Sequence, residues 1–395
     1  MDGHLHPDFS PVAETLRRQI ARNPGGAAAC VYHRGEKVLD LWGGESDANG
    51  TPWESSTLAP SFSTTKGVAS TLMHILVDRG LIDYDDRVAQ HWPEFAQAGK
   101  QDVTLRHVMT HQSGLYHLRQ ILDNAEQMLD WDAVVDAIAR AKPVHTPGAR
   151  SGYHGLSYGF IVGELVQRIL KMSFSDAVQK ELAGPLQADG LFIGAPNEAI
   201  ERAAQIIVPE SGLRMEAGVL AEQIAMLLQG ILPLFGIQTH VGGILELAPR
   251  GLGKLDFSAA RTLSVAMPSH NGLFSARSLA RMYALMAAGG EIDGVRLLSR
   301  STVRRATAPQ PHPGHAYLWP VEMGWCLGYH KAFTTRGSPE GSFGHYGFGG
   351  SGAFADPKRE LAVGLIVNSG QGTPFGDIRT AQIATAALRS ADERS

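Results

Sequence analysis

Strand-forming runs sit at the two ends of this chain, and the long stretch between them is patterned mainly as helices. Near the N-terminus, Phe9, Val12, Leu16 and Ile20 recur at three- and four-residue spacing opposite Glu14, Arg17 and Arg18, which predicts an amphipathic helix. Two extended runs follow at 27–33 and 37–42, joined by Arg34-Gly35-Glu36, a hairpin with glycine in its turn. Helical periodicity then takes over. It runs over 66–80 through Val68, Leu72, Ile75 and Leu76 to a capping Gly80, and again over 131–141, 158–170, 174–182 and 276–288. Strand character returns at 323–330, 352–356 and 361–368, and a helix over 378–388 closes the chain. Strands divided between two ends make one sheet only if the ends meet, so the expected fold is α/β in the α+β sense, with a helical block inserted into a sheet domain. The expected division is 1–67 with 300–395 as the discontinuous sheet domain, and 68–299 as the mainly helical one. The apolar, glycine-rich stretch 209–257 fits a cap or flap over a site, and equally a buried helix pair with an ordinary loop.

Charge and cysteine content exclude several function classes. Thirty-five Lys and Arg stand against 39 Asp and Glu with no long run of one sign, which argues against nucleic acid as a partner. Two cysteines, Cys30 and Cys326, cannot form a metal cluster and are expected to be reduced. Residues 1–22 lack a basic start followed by an apolar stretch, so no secretory signal is read and the expected compartment is cytoplasmic. The greasiest window, 219–247, is interrupted by Glu222, Gln223, Gln229, Pro233, Gln238 and His240, short of the ~20 apolar residues of a membrane span. Among the 16 histidines, His107 and His111 are four apart without an H-E-x-x-H, and His4 and His6 fall in a terminus expected to fray. No metal or cofactor is expected.

Of nine lysines, Lys66 alone has a serine three residues before it, in Ser61-Phe62-Ser63-Thr64-Thr65-Lys66-Gly67. At the start of a helix, residues three apart share a face, which brings the Lys66 amine to the Ser63 hydroxyl. A serine becomes nucleophilic when a base takes its proton, and a lysine serves as that base once burial lowers its pKa from ~10.4 towards ~7. The free N–H groups of the helix start would stabilise an oxyanion. The bland reading of the same motif is a capping serine beside a solvated lysine. Two further stations keep it company: Tyr153 in Ser151-Gly152-Tyr153-His154-Gly155, and the glycine-dense 343–352 near the C-terminus. Ser157, in Gly155-Leu156-Ser157-Tyr158-Gly159, matches G-x-S-x-G, but the turn-like 146–152 before it supplies no strand for a nucleophile elbow, so it is read as a decoy.

These three stations, with the stretches 105–115, 153–159 and 275–281, resemble the serine β-lactamase and penicillin-binding-protein superfamily, most closely its class C-like family VIII carboxylesterases, over roughly 9–388. The resemblance implies a β-lactamase/transpeptidase-like fold, an antiparallel sheet flanked by N- and C-terminal helices. It implies Ser63 as the nucleophile, Lys66 and Tyr153 as the base and acid pair, and the backbone N–H groups of Ser63 and Phe348 as the oxyanion hole. His345, Tyr346, Gly347 and Gly349 are then expected to line the substrate site. Gly155 stands where the Y-x-N pattern has asparagine, and His345 where K-T-G has lysine. Both departures weaken recognition of a penicillin-like amide and carboxylate, so the expected substrate is a neutral small-molecule ester. The 209–257 segment, Trp319, Trp325 and Phe348 are candidates for an acyl pocket. A β-lactamase or D-alanyl peptidase, an acyltransferase and a non-catalytic binding protein are the alternatives on the same scaffold, and a homo-oligomer is compatible with the sequence.

Overall fold

The computed structural model describes residues 1–207, 246–314, 322–370 and 377–394. Both ends of the chain meet in one seven-stranded antiparallel sheet. Its strands are β1 (Asp2–Leu5), β2 (Gly26–His33), β3 (Glu36–Gly44), β4 (His330–Lys331), β5 (Phe343–Tyr346), β6 (Gly352–Asp356) and β7 (Leu361–Val367), in the spatial order β1-β3-β2-β7-β6-β5-β4. The β2–β3 hairpin turns through Arg34 and Gly35, both at positive φ (54° and 79°), the two-residue geometry that suits the strand twist.

Alternation along β2 explains the layering. Ala27, Ala29 and Val31 face a core shared with Leu361, Val363 and Leu365, which α1 (Ser10–Arg22) and α6 (Ile378–Glu393) close through Val12, Leu16, Ile383 and Ala384. Ala28, Cys30 and Tyr32 face the other core, against Leu279, Ala280 and Tyr283 of helix α5 (Ala276–Ala287). A Cβ at Gly364 of β7 would lie 2.5 Å from the Ala276 carbonyl, so glycine lets α5 approach the sheet. That helix belongs by sequence to the expected helical block and by packing to the sheet. Beyond it lie α2 (Thr65–Asp78), α3 (Trp131–Arg140) and α4 (Ser157–Leu170). Helix α2 is buried from Thr65 through Val77, as a helix at the centre of a helical layer must be, and Gly80 follows it at φ 68°.

Two expectations need correcting. The terminus holding His4 does not fray: Asp2–Leu5 pairs with β3 from Asp2↔Trp42 to Leu5↔Leu39. The strand expected at 323–330 reduces to His330–Lys331, because Gly324 (φ 55°) and Gly328 (φ 79°) turn the chain, and a Cβ at Gly328 would collide with Ser70 Oγ at 2.2 Å. Of the expected flap 209–257, residues 209–245 lie outside the described residues, as does Trp319.

A small sheet positions the start of α2. Ala59–Pro60 pairs with Leu273–Phe274, which also pairs with Leu191–Phe192. The Ser61 N–H donates to the Gly272 carbonyl at 2.9 Å, and the Gly272 N–H donates to Thr65 Oγ1 at 2.9 Å, so the turn 269–272 is tied to the first turn of α2.

Candidate active site

Ser63 occupies a single 3₁₀ turn, Phe62–Thr64, directly before α2. Phe62 holds φ 43°, a left-handed conformation that costs a bulky residue about 1–3 kcal/mol and persists only where its surroundings enforce it. The two threonines of the motif enforce it. Thr65 Oγ1 donates to the Phe62 carbonyl at 2.5 Å, and Thr64 Oγ1 donates to the Ser351 carbonyl at 3.0 Å, locking the turn to the lead-in of β6.

Lys66, on the first turn of α2, is fully buried and reaches back as its spacing predicts. Its Nζ lies 3.2 Å from Ser63 Oγ and donates to the carbonyls of Gly155 (2.6 Å) and Ser269 (3.0 Å). Among the described residues no carboxylate pairs with it, and burial holds its amine well below the usual lysine range. A neutral amine has two N–H groups and one lone pair. Two carbonyls take the N–H groups, which leaves the lone pair for the Ser63 hydroxyl.

Tyr153 approaches from the other side, its hydroxyl donating to Ser63 Oγ at 2.9 Å, with Lys66 Nζ 5.0 Å from the ring centre. Burial pushes its phenol up, the Ser63 hydrogen bond opposing in part, so the group stays protonated at neutral pH. The ring is stacked on Trp325 (5.8 Å, 16°) and meets the edge of His111 at 4.9 Å. The backbone around it is clamped by His154. That imidazole donates from Nδ1 to the Gly152 carbonyl (2.6 Å), and its Nε2 accepts from Ser113 Oγ (2.6 Å) and from the Leu115 N–H (3.3 Å). The His154 N–H donates to His111 Nδ1 at 3.2 Å. His111, Ser113 and Leu115 therefore brace the backbone beside Tyr153.

The glycine-dense stretch supplies the third wall. Phe348 opens a second 3₁₀ turn, Phe348–Gly350, packed against the Ser63 turn. The first N–H groups of such turns have no acceptor within the turn, so those of Ser63 and Phe348 are available donors. Gly347 sits where the two turns touch: a Cβ there would lie 2.4 Å from the Ser61 carbonyl and 3.2 Å from the Ser63 nitrogen. Gly349 (φ 86°) lies beside the Phe62 ring, and its carbonyl accepts from Arg379 Nη2 at 2.8 Å. His345 is buried on the Lys66 side, with Nδ1 donating to the Tyr346 carbonyl (3.1 Å). Burial first, and then the neighbouring His330 and Lys66, hold it well below the usual histidine range, so it is neutral. Tyr346 is not brought to Ser63 by its side chain. Strand alternation sends the ring into the opposite core, where its hydroxyl donates to the Phe333 carbonyl at 3.1 Å.

Ser157 is buried, its hydroxyl donating to the Leu115 carbonyl at 2.6 Å at the start of α4. Sequence reasoning missed Thr64, Thr65, Ser113, His154 and the carbonyls of Gly155 and Ser269. Among the described residues no group of three His, Cys, Asp or Glu side chains is placed to hold a metal, and no helix is long and apolar enough to cross a membrane.

Comparison with known proteins covers nearly the whole chain. The beta-lactamase family model matches residues 12–388. The esterase/beta-lactamase LipL of Mycobacterium tuberculosis (strain ATCC 25618 / H37Rv) is 35% identical over 371 residues, 93% of this chain and 82% of that protein. A family VIII carboxylesterase crystal structure superposes with a TM-score of 0.84 at 29% identity, covering 98% of this chain and 99% of that one. A penicillin-binding protein homolog from Caulobacter crescentus gives 0.82 at 32% identity over 98% and 99%.

Proposed function

The chain belongs to the beta-lactamase family, and from that premise we propose that it is a cofactor-free serine hydrolase of carboxylic esters that works through an acyl-enzyme on Ser63. The observation that carries this reading is the convergence on Ser63 Oγ of a protonated phenol and a buried amine that, among the described residues, has no carboxylate partner. The esterase and carboxylesterase among the similar proteins support the ester as the substrate class.

In the proposed reaction Ser63 Oγ bonds to the ester carbonyl carbon as its proton passes to Lys66 Nζ. The resulting oxyanion lies between the N–H groups of Ser63 and Phe348. The C–O bond to the alcohol then breaks, and Tyr153 delivers a proton to the departing oxygen while recovering one from Lys66. Water attacks the acyl-enzyme, gives its proton to the same pair, and frees the acid and Ser63. A β-lactam has a carboxylate to be paired, and neutral His345 offers it no cation. Gly155 has no side chain to offer an amide, and its backbone carbonyl is already engaged by Lys66.

Labelling with a fluorophosphonate followed by mass spectrometry tests the reading. A single adduct on Ser63 is expected, retained in Ser157→Ala and absent in Ser63→Ala; an adduct on Ser157, or none at all, overturns it. In the same preparation p-nitrophenyl butanoate should turn over faster than nitrocefin, and the reverse order would make the chain a β-lactamase.

Gly347→Ala probes the oxyanion hole separately. The added methyl has to push the Ser61–Ser63 backbone away from Phe348. A lost oxyanion donor costs ~10²–10³-fold in kcat, so a loss of at least ~10²-fold is expected with KM little changed. Near-normal kcat in Gly347→Ala would remove this pair of N–H groups from the mechanism.

A further inference from the structure

His270 is a buried polar group that the reaction just described does not use. It is 4% exposed, and among the described residues neither of its ring nitrogens has a hydrogen-bond partner. Burial holds the imidazole neutral, at about 3. A neutral imidazole carries one donor and one acceptor, and each left unpaired in the interior costs about 1–3 kcal/mol. An apolar ring of the same shape would avoid that cost, so packing alone gives no reason for histidine here.

Its surroundings supply a reason. The turn that carries it is rigid: the His270 N–H donates to the Met267 carbonyl at 3.0 Å, and Asn271 Nδ2 donates to the carbonyls of Thr262 (2.9 Å) and Val265 (2.6 Å). The preceding residue, Ser269, gives its carbonyl to Lys66 Nζ. The imidazole meets the edge of Phe257 at 5.4 Å, Phe257 meets Phe62 at 5.6 Å, and Phe62 meets Phe348 at 5.4 Å. A row of four rings therefore starts at Phe348, passes the residue before Ser63, and ends beside the residue that holds the amine of Lys66. Three of the rings are apolar and the last can donate and accept hydrogen bonds. Small-molecule pockets are built in that way, apolar walls with few polar groups that fix orientation.

We infer that His270 is the polar contact of the acyl pocket, and that the site favours esters whose acyl chain carries a hydrogen-bonding oxygen, a hydroxyl or an ether, near the carbonyl. The inference deepens the proposed function and rests on Ser63 being the acylated residue.

The p-nitrophenyl esters of butanoic, 3-hydroxybutanoic and methoxyacetic acid share one leaving group and differ in acyl oxygen. With each kcat/KM divided by the ester's spontaneous hydrolysis rate, the wild-type protein is expected to favour at least one oxygenated ester about tenfold over butanoate. His270→Phe should remove that preference, lowering kcat/KM for the favoured oxygenated ester about tenfold more than for butanoate, and keep or raise Tm, because it removes an unpaired buried group. His270→Gln retains a donor and an acceptor and should retain part of the preference. Fluorophosphonate labelling of Ser63 in the wild type and both variants separates the two levels of the argument. Failure of the wild type to label overturns the Ser63 reading. Normal labelling with a wild-type preference for butanoate, or with equal losses on all three esters in His270→Phe, overturns the role of His270.

Discussion

Lys66→Arg is expected to lower kcat/KM for p-nitrophenyl esters by at least ~10³-fold, with the fold intact by circular dichroism. Arginine keeps its charge at every accessible pH, so it cannot accept the Ser63 proton. Its planar fork also cannot point at the carbonyls of Gly155 and Ser269 and at Ser63 Oγ from the place of one nitrogen. The same reasoning fixes a sign for pH dependence. The base works as the neutral amine, so the rate should rise with pH through the Lys66 pKa and then level off. Because burial lowers that pKa, the plateau should begin well below the ordinary lysine range. Tyr153→Phe should lower the rate less and leave the rising limb in place, since the phenol stays protonated through neutral pH. Retention of more than a tenth of wild-type kcat/KM in Lys66→Arg would take the base role away from Lys66.

The parts of this site that were legible beforehand are those in which chemistry follows from residue type at short spacing. Ser63 and Lys66 are one helical turn apart, and Tyr153 joins them in space. Backbone atoms leave no such mark. The carbonyls of Gly155 and Ser269 bind the amine, yet a carbonyl has no residue type; the small sheet around Ala59–Pro60 places that of Ser269, and the turn closed by the Gly155 N–H on the Tyr153 carbonyl places that of Gly155. His154 was hidden for a different reason. It fills the middle position of a motif read for its outer residues, and its partners, Ser113 and the Leu115 N–H, lie some forty residues earlier.

The same contrast runs through the fold. Strands β2 and β7 carry alternating side chains to two cores, and their pattern announced them. Strand β1 is exposed along its whole length and joins the edge through backbone pairing alone, so Asp2-Gly3-His4-Leu5 carries no period to read. At 323–330 the apolar residues are present, and two glycines at positive φ redirect them into packing against α2. For α5, the 276–288 periodicity predicted the helix and not its neighbours. An apolar face fits a sheet or another helix equally well, and the close approach at Gly364 decides between them.

Acidification from pH 7.5 to 5.0 is expected to lower Tm by at least about 10 °C, through histidines rather than carboxylates. Burial holds His74, His154 and His270 at about 3 and His330 at about 4. In the unfolded chain each titrates near ~6.5, so below that value the unfolded state binds protons that the folded state refuses. Stability is therefore full above pH ~6.5 and falls as pH drops towards the folded-state values. At pH 5 one such residue has lost about 2 kcal/mol and four have lost about 8, comparable with the ~5–15 kcal/mol that holds a typical domain together. His111 and His345, also held well below the usual range, add in the same direction. The fall belongs to the fold and should appear equally in Ser63→Ala. His74→Gln, which removes one of these groups far from Ser63, should weaken the pH dependence of Tm even where it lowers Tm itself. A Tm that moves by less than about 3 °C between the two pH values would mean that these imidazoles take up protons without opening the structure, contrary to their burial.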